Sequence, residues 1–251
     1  MATTAIVLAA GKGTRMKSDL PKVLIPVCGR PMVEHVLDTL ASAGVERTLV
    51  VVGYRSDLVR QQLAGRTGVA FVEQTEQRGT GHAVMMCREQ LVGYEGPVVI
   101  VTGDSPLAQR ESIEALLAHY AAHHPACLLG TAHKSEPRGL GRIVRDATGA
   151  FQAIVEERDA TPDQRLLTEV NMSCYVFHGP DLLAALDKLG CDNAQGEYYL
   201  TDCPGLLRRA GRPVEALAVL QPIEALSINT PEELAVAERA MQDDNRARGL
   251  S

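Results

Sequence analysis

A chain of 251 residues, 45% of them hydrophobic, is long enough to bury one large α/β core and cramped for two. With 25 basic against 31 acidic residues, a formal charge of -6, no basic run, no Trp and three Phe, the composition points away from nucleic-acid, anionic-membrane and base-stacking surfaces. The apolar stretch Ala5–Ala10 is far too short to span a bilayer, and no basic n-region or cleavage signal precedes it, so a soluble cytoplasmic protein is expected. Its six cysteines (Cys28, Cys87, Cys127, Cys174, Cys191, Cys203) form no C-x-x-C pair and have no His at metal spacing, which favours reduced, mostly buried thiols.

Ala5–Ala10 reads as the first strand of an alternating β–α series. Pro31 opens a helix whose residues Met32, Val33, Val36, Leu37 and Leu40 share a face, and Gly44 closes it. Thr48–Val52 follows as a strand, Ser56–Leu63 as a helix, Val69–Glu73 as a strand, Thr80–Leu91 as a helix and Val98–Thr102 as a buried strand. From Gly139 the pattern changes: Gly141–Arg145 and Phe151–Glu157 read as strands around the turn Asp146–Gly149, and Asn171–Phe177 as another. A helix from Pro180, one around Tyr199–Arg209, a strand at Val214–Val219 and a last helix complete the chain. That last helix opens on Thr230-Pro231-Glu232-Glu233, read as a capping box with Pro at N1. Neither an internal repeat nor a linker is visible, so a single domain over 1–251 is expected, changing character after about residue 125.

The strongest local signal is Leu8-Ala9-Ala10-Gly11-Lys12-Gly13-Thr14-Arg15-Met16, between a buried strand and Pro21-Lys22. Glycines let backbone N–H groups approach phosphate oxygens, while Arg15 and Lys22 can neutralise a triphosphate. A dinucleotide fingerprint would need Gly at Met16, and a P-loop would need Ser or Thr at Gly13, so neither fits. Asp104, at the carboxyl end of a buried strand, stands where open α/β sheets place ligands and suits a hard cation such as Mg²⁺. Alternatively, Asp104 or Ser105 before Pro106 simply caps a turn or helix. From Gly103-Asp104 alone the two readings stand level.

Together these residues resemble the sugar-phosphate nucleotidyltransferases and, within them, the uridylyltransferase domain of the bacterial N-acetylglucosamine-1-phosphate uridylyltransferases. Leu8–Met16 with Leu20–Leu24, Gly29–Met32, Gln74 and Gln77 through Gly79-Thr80-Gly81-His82-Ala83, and Gly103–Leu107 carry the resemblance in the first half. Gly139–Ile143, Ile154–Glu157, Glu169-Val170-Asn171, the segment Asn193–Asp202 and Asn229 carry it in the second. The resemblance implies a Rossmann-like three-layer α/β/α fold with a mixed, mostly parallel sheet and an inserted sugar-binding β region. Residues 1–125 would mainly bind nucleotide, 126–229 mainly sugar, and 230–251 would form the C-terminal helix.

It also implies roles. Leu8, Ala10, Gly11, Gly13, Thr14, Arg15 and Lys22 would hold the nucleotide and its triphosphate, with Arg15 and Lys22 catalytic, and Gln74, Gln77, Gly79 and Thr80 would recognise uracil and ribose. Asp104 and Asn229 would bind Mg²⁺, and Gly141, Glu156, Asn171, Tyr199 and Thr201 would line an amino-sugar pocket. The implied reaction passes UMP from UTP to N-acetylglucosamine 1-phosphate.

Residue by residue, simpler readings stay open: Asn229 as a helix cap, Tyr198 and Tyr199 as core aromatics, Glu156 or Glu157 as a solvated edge charge, and His82 as a packed residue. Thr102 stands where the family usually has Tyr, and Met172-Ser173 where it has Thr-Gly, both beside the expected sugar pocket. No acetyltransferase domain or hexapeptide repeat follows, which implies a naturally single-function enzyme or a shortened chain. Competing functions are transfer to another sugar phosphate or from another NTP, a glycosyltransferase, which would want Asp-x-Asp at Gly103-Asp104-Ser105, and a non-catalytic sensor, whose mark would be loss of Arg15, Lys22 or a metal ligand.

Overall fold

The computed structural model describes residues 2–226 and 228–249; Met1, Ser227 and the last two residues of the expected C-terminal helix lie outside the described residues. Strand β1 (Thr4–Ala9) leads into short 3-10 turns at Thr14–Met16 and Lys22–Leu24, then a hairpin of β2 (Pro26–Val27) and β3 (Arg30–Pro31). Helix α1 (Met32–Ser42), β4 (Arg47–Val52), α2 (Ser56–Leu63) and β5 (Val69–Glu73) continue the series, followed by α3 (Thr80–Met85), α4 (Arg88–Leu91) and β6 (Pro97–Thr102). Helix α5 (Arg110–His123) and β7 (Cys127–His133) come next, then β8 (Arg142–Arg145), β9 (Phe151–Val155), α6 (Pro162–Arg165) and β10 (Glu169–His178). The chain closes with α7 (Gly179–Leu186), α8 (Asp202–Arg209), β11 (Val214–Leu217) and α9 (Pro231–Ala247).

Among the described residues one sheet runs in the order β11-β7-β10-β6-β1-β4-β5, with β8 and β9 attached beside β10. Pairs β6/β1, β1/β4, β4/β5 and β11/β7 are parallel, while β10 is antiparallel to both its sheet neighbours, β6 and β7. The sheet is therefore mixed and mostly parallel, as expected. Strand residues alternate between two apolar layers. Val7, Val50 and Val99 pack with α1, α2 and α5; Ile6, Leu49 and Ile100 pack with α3, α4, α7 and α8. A smaller cluster joins Met16, Val27 and Met32 to Ala237 and Met241 of α9, folding the C-terminal helix back over the first loop. No helix among the described residues is long and apolar enough to cross a membrane.

Several boundaries differ from the sequence reading. The single helix expected over Thr80–Leu91 is two, because bonding tightens at the fully buried Cys87: its N–H donates to Val84 O, and its carbonyl accepts from Gln90 N. Strand β7, unread in the sequence, carries Gly130 and Thr131 inside an otherwise apolar run, which blurs its period. The helix expected around Tyr199–Arg209 starts only at Asp202. At α9 the capping box is incomplete: Thr230 Oγ1 accepts from Glu233 N at 3.2 Å, but the Glu233 carboxylate reaches past Thr230 to accept from Asn229 N at 2.6 Å. All six cysteines are free; four are buried, Cys191 is half-buried and Cys28 is exposed.

Candidate active site

The site lies where β1, β4, β5 and β6 end, the carboxyl edge of the parallel part of the sheet. Gly13 is left-handed at φ 68°, and a Cβ there would lie 2.6 Å from Lys22 Cβ, so glycine lets the two stretches of the loop close on each other. Buried Met16 anchors one side of the loop, and buried Val23 and Leu24 anchor the other, leaving Lys22 half-buried between them. Gly103 donates its N–H to Leu8 O at 2.9 Å, which sets Asp104 beside the loop. Neither Asp104 nor Ser105 caps α5, which starts at Arg110 after Gln109.

The charged centre is a four-residue knot. Lys22 Nζ donates to Asp104 Oδ2 at 2.5 Å and to Asn229 Oδ1 at 2.9 Å, and Arg15 Nη2 donates to the same Asn229 oxygen at 2.9 Å. Asn229 is not the cap of α9, since Thr230 fills that role and leaves the Asn229 amide facing the loop. Two oxygens from residues far apart in the chain thus converge on the Lys22 ammonium. A carboxylate and an amide oxygen are donors of the kind that could hold a hard divalent ion completing its sphere with water and phosphate.

Two clefts meet at this centre, sharing Lys22, Thr102 and Asp104. The first, about 320 Å³, is lined by Leu8, Ala10, Gly11, Gln74, Gln77, Gly79 and Thr80 among others. Its floor is tied by local bonds. Gln77 Nε2 donates to Ala10 O at 2.7 Å, and buried Gln74 donates to Gly79 O at 3.1 Å while its amide meets His82 Nδ1 at 3.1 Å. His82 therefore orients Gln74. A Cβ on Gly79 would come within 2.6 Å of Tyr198 O, and Gly81 N–H donates to that carbonyl at 2.7 Å. Leu200 N–H donates to Thr80 Oγ1 at 3.1 Å, so the Gly-Thr-Gly and Tyr-Tyr-Leu segments clasp each other on one side of the sheet.

The second cleft, about 310 Å³, holds Arg15, Asn229 and Asn171 together with Met172, Ser173 and the Arg138–Leu140 turn. Its wall is a bulge: β10 slips against β7 between Asn171 and Cys174, and Ser173 adopts a left-handed φ of 52°. The family-typical glycine thus has a backbone reason at this position. Asn171, buried, donates to Tyr175 OH at 2.7 Å and accepts from Ser173 N at 3.2 Å. Nearby, Thr201 Oγ1 donates to Glu156 Oε1 at 3.0 Å, and a Cβ on Gly141 would sit 3.6 Å from both Asn171 Cβ and Glu156 Oε1. Burial pushes the Glu156 carboxyl up, against the Thr201 hydrogen bond and with help from Asp159 and Asp202. Burial likewise raises Tyr199.

Gly13, Thr14, Gly141, Glu156, Tyr199 and Thr201 line neither cleft directly; Gly13 shapes the loop, and Gly141 lies beside both Asn171 and the Glu156–Thr201 pair. Sequence reasoning passed over Arg138 and Glu197, which do line the clefts, and the ordering role of Asn193, whose Oδ1 accepts from Gln195 N and Glu197 N. Asn at a turn followed by Gly196 was the available signal for the last.

A MobA-like NTP transferase domain model matches residues 5–200. The bifunctional protein GlmU of Lactobacillus delbrueckii subsp. bulgaricus is 45% identical over 237 residues, 94% of this chain and 51% of that protein. GlmU of Streptococcus gordonii is 44% identical over 242 residues, covering 96% and 52%. The chain spans about half the length of these curated relatives. A crystal structure of UDP-glucose pyrophosphorylase complexed with UDP-glucose matches with a TM-score of 0.77 and 16% identity over 97% of this chain and 100% of that one, a likeness of fold.

Proposed function

The chain belongs to the MobA-like NTP transferase family, and on that premise we propose that it transfers UMP from UTP to N-acetylglucosamine 1-phosphate, releasing pyrophosphate and giving UDP-N-acetylglucosamine. The observation that carries this reading is the meeting of two clefts at Lys22, Thr102 and Asp104, one walled by the glycine loop and one by the β10 bulge. Two substrates placed one in each cleft would meet at the cationic centre. The length and identity of the match to proteins named GlmU support the choice of substrates.

The nucleophile is a phosphate oxygen, already anionic at neutral pH, so no general base is required. The difficulty is to bring two polyanions into line and to neutralise charge at the α-phosphorus. Arg15 and Lys22 supply fixed positive charge there, and N–H groups of the Gly11–Thr14 loop hold the triphosphate. Gln74 and Gln77 present amide groups to the base, and Asn171 presents its polar groups to the sugar, with the Glu156–Thr201 pair packed outside the cleft lining. Asp104 and Asn229 would hold Mg²⁺, which supplies Lewis-acid neutralisation of the phosphates. Lys22, held by both oxygens, also lines the first cleft, where its charge faces the triphosphate site.

Pyrophosphate release should be measured for each of four NTPs against several sugar 1-phosphates, with Mg²⁺ and with excess chelator. UTP with N-acetylglucosamine 1-phosphate is expected to give the highest kcat/KM, and chelator to abolish it. Preference for another hexose phosphate would overturn the substrate assignment and leave the reaction class standing.

A further inference from the structure

The second cleft contains a cation that the chemistry above does not use. Residues Pro137–Leu140 form a β-turn closed by Leu140 N to Pro137 O at 3.3 Å, with Gly139 at φ 78° in the third position, where only a residue free to adopt positive φ fits easily. Arg138 occupies the second position, is exposed, and lines the cleft together with Arg15, Lys22, Asp104, Asn171 and Asn229. The arginines that follow it are committed: Arg142 is fully buried against Glu157 at 2.7 Å, and Arg145 is paired with Glu169 at 2.6 Å. Among the described residues, Arg138 has no carboxylate within ion-pair distance.

Carboxylates in the same cleft are also committed. Asp104 takes Lys22; Glu233 accepts from Asn229 N; Glu224 accepts from Gln109 N, Gln221 N and Ser112 Oγ. The lining carries three cations and three carboxylates, and among the described residues Arg138 is the cation of the three with no side-chain hydrogen-bond partner, in the same cleft that Arg15 lines. An anion held between them would neutralise both. The turn itself is braced, because Arg142 Nη1 donates to Leu140 O, so Arg138 is presented from a fixed base rather than from a loose loop.

We infer that Arg138 binds the phosphate of the acceptor sugar 1-phosphate and positions it for attack. The inference rests on the proposed transfer reaction and adds a phosphate ligand from the second half of the chain. A guanidinium offers two parallel N–H donors to a phosphate, a geometry that lysine cannot reproduce. Since the acceptor phosphate carries the attacking oxygen, Arg138 sets its position and leaves the triphosphate to Arg15 and Lys22.

Steady-state kinetics of Arg138→Gln and Arg138→Lys, in both directions, test this. The expected result for Arg138→Gln is a KM for N-acetylglucosamine 1-phosphate raised about tenfold, with KM for UTP within about twofold of wild type; the lysine variant should recover only part of the loss. In reverse, KM for UDP-N-acetylglucosamine should rise while KM for pyrophosphate stays put. Arg138 is exposed in a turn, so both variants should keep the wild-type Tm. An unchanged acceptor KM, or equal rises for both substrates as a diffuse field would give, overturns the assignment while leaving the transfer reaction intact. Absence of turnover in the wild type with every sugar 1-phosphate overturns the reaction and this assignment together.

Discussion

The two walls of the site are built by different means. On the glycine-loop side, parallel strands β1, β4, β5 and β6 end together, and the surface is made of backbone, glycines and amide side chains tied by short-range bonds such as Gln74 to Gly79. On the bulge side, Asn171 faces the cleft and donates to Tyr175 OH, while Thr201 donates to Glu156 outside the cleft lining and buried Arg142 pairs with Glu157, so side-chain bonds between separate stretches do the holding. Backbone-built surfaces tolerate changes of side chain; networks of buried polar groups do not, because one lost partner leaves another group unsatisfied. Even so, the residues that depart from the family pattern, Thr102, Met172 and Ser173, line the second cleft.

The largest expected effect is at the seam between the walls. Asp104→Asn should lower kcat by about three orders of magnitude, because charge handling at the reacting phosphorus is the main source of rate. The carboxylate is partly exposed and its ion pair adds little to stability, so Tm should hold. Pyrophosphate release beside a thermal melt would check both, and retained turnover would remove Asp104 from the centre.

Gly13→Ala tests whether the first wall is indeed a matter of backbone. The new Cβ would be 2.6 Å from Lys22 Cβ at a left-handed φ, so the loop must open. We expect a cost of about 1–3 kcal/mol in stability and a fall in kcat of about tenfold or more as Lys22 moves. A variant with normal Tm and normal kcat would show that the loop closes some other way.

Glu156→Gln probes the second wall. KM for the sugar phosphate should rise about tenfold with KM for UTP unchanged. Stability should move the other way. The folded Glu156 pKa is raised by burial, so the folded state holds the proton more tightly than the unfolded chain does. Stability is then present below the unfolded value and is lost as pH rises through the folded one. The Gln variant should therefore melt higher than wild type at pH 8, and the gap should close below the ordinary carboxylate range. Equal melting of the two proteins at every pH would contradict a desolvated carboxylate.

The smallest effect is expected at the bulge. Ser173 sits at φ 52°, and Ser173→Gly should relieve strain for a net gain of about 0.5–1 kcal/mol, read from urea midpoints. Activity should stay within about twofold. Destabilisation would mean that the serine side chain contributes more than its backbone costs.

By itself the sequence determined the alternating strands and helices of the first half, the glycine loop and the position of Asp104 at a strand end. These follow from hydrophobic period, proline and glycine placement, and local backbone chemistry, all of which act over a few residues. The resemblance named Asn229, Glu156 and Asn171, yet no local rule separated Asn229 from a helix cap. That choice was made in three dimensions, where Thr230 takes the cap and α9 folds back to bring the Asn229 oxygen to Lys22 and Arg15. Strand β10 entering antiparallel between β6 and β7, the slip at Met172-Ser173, and the clasp of Gly81 on Tyr198 were likewise decided by tertiary structure. Each is a contact between residues far apart in the chain, and strand order, register and long-range hydrogen bonds depend on which surfaces bury each other best, which local periodicity does not encode.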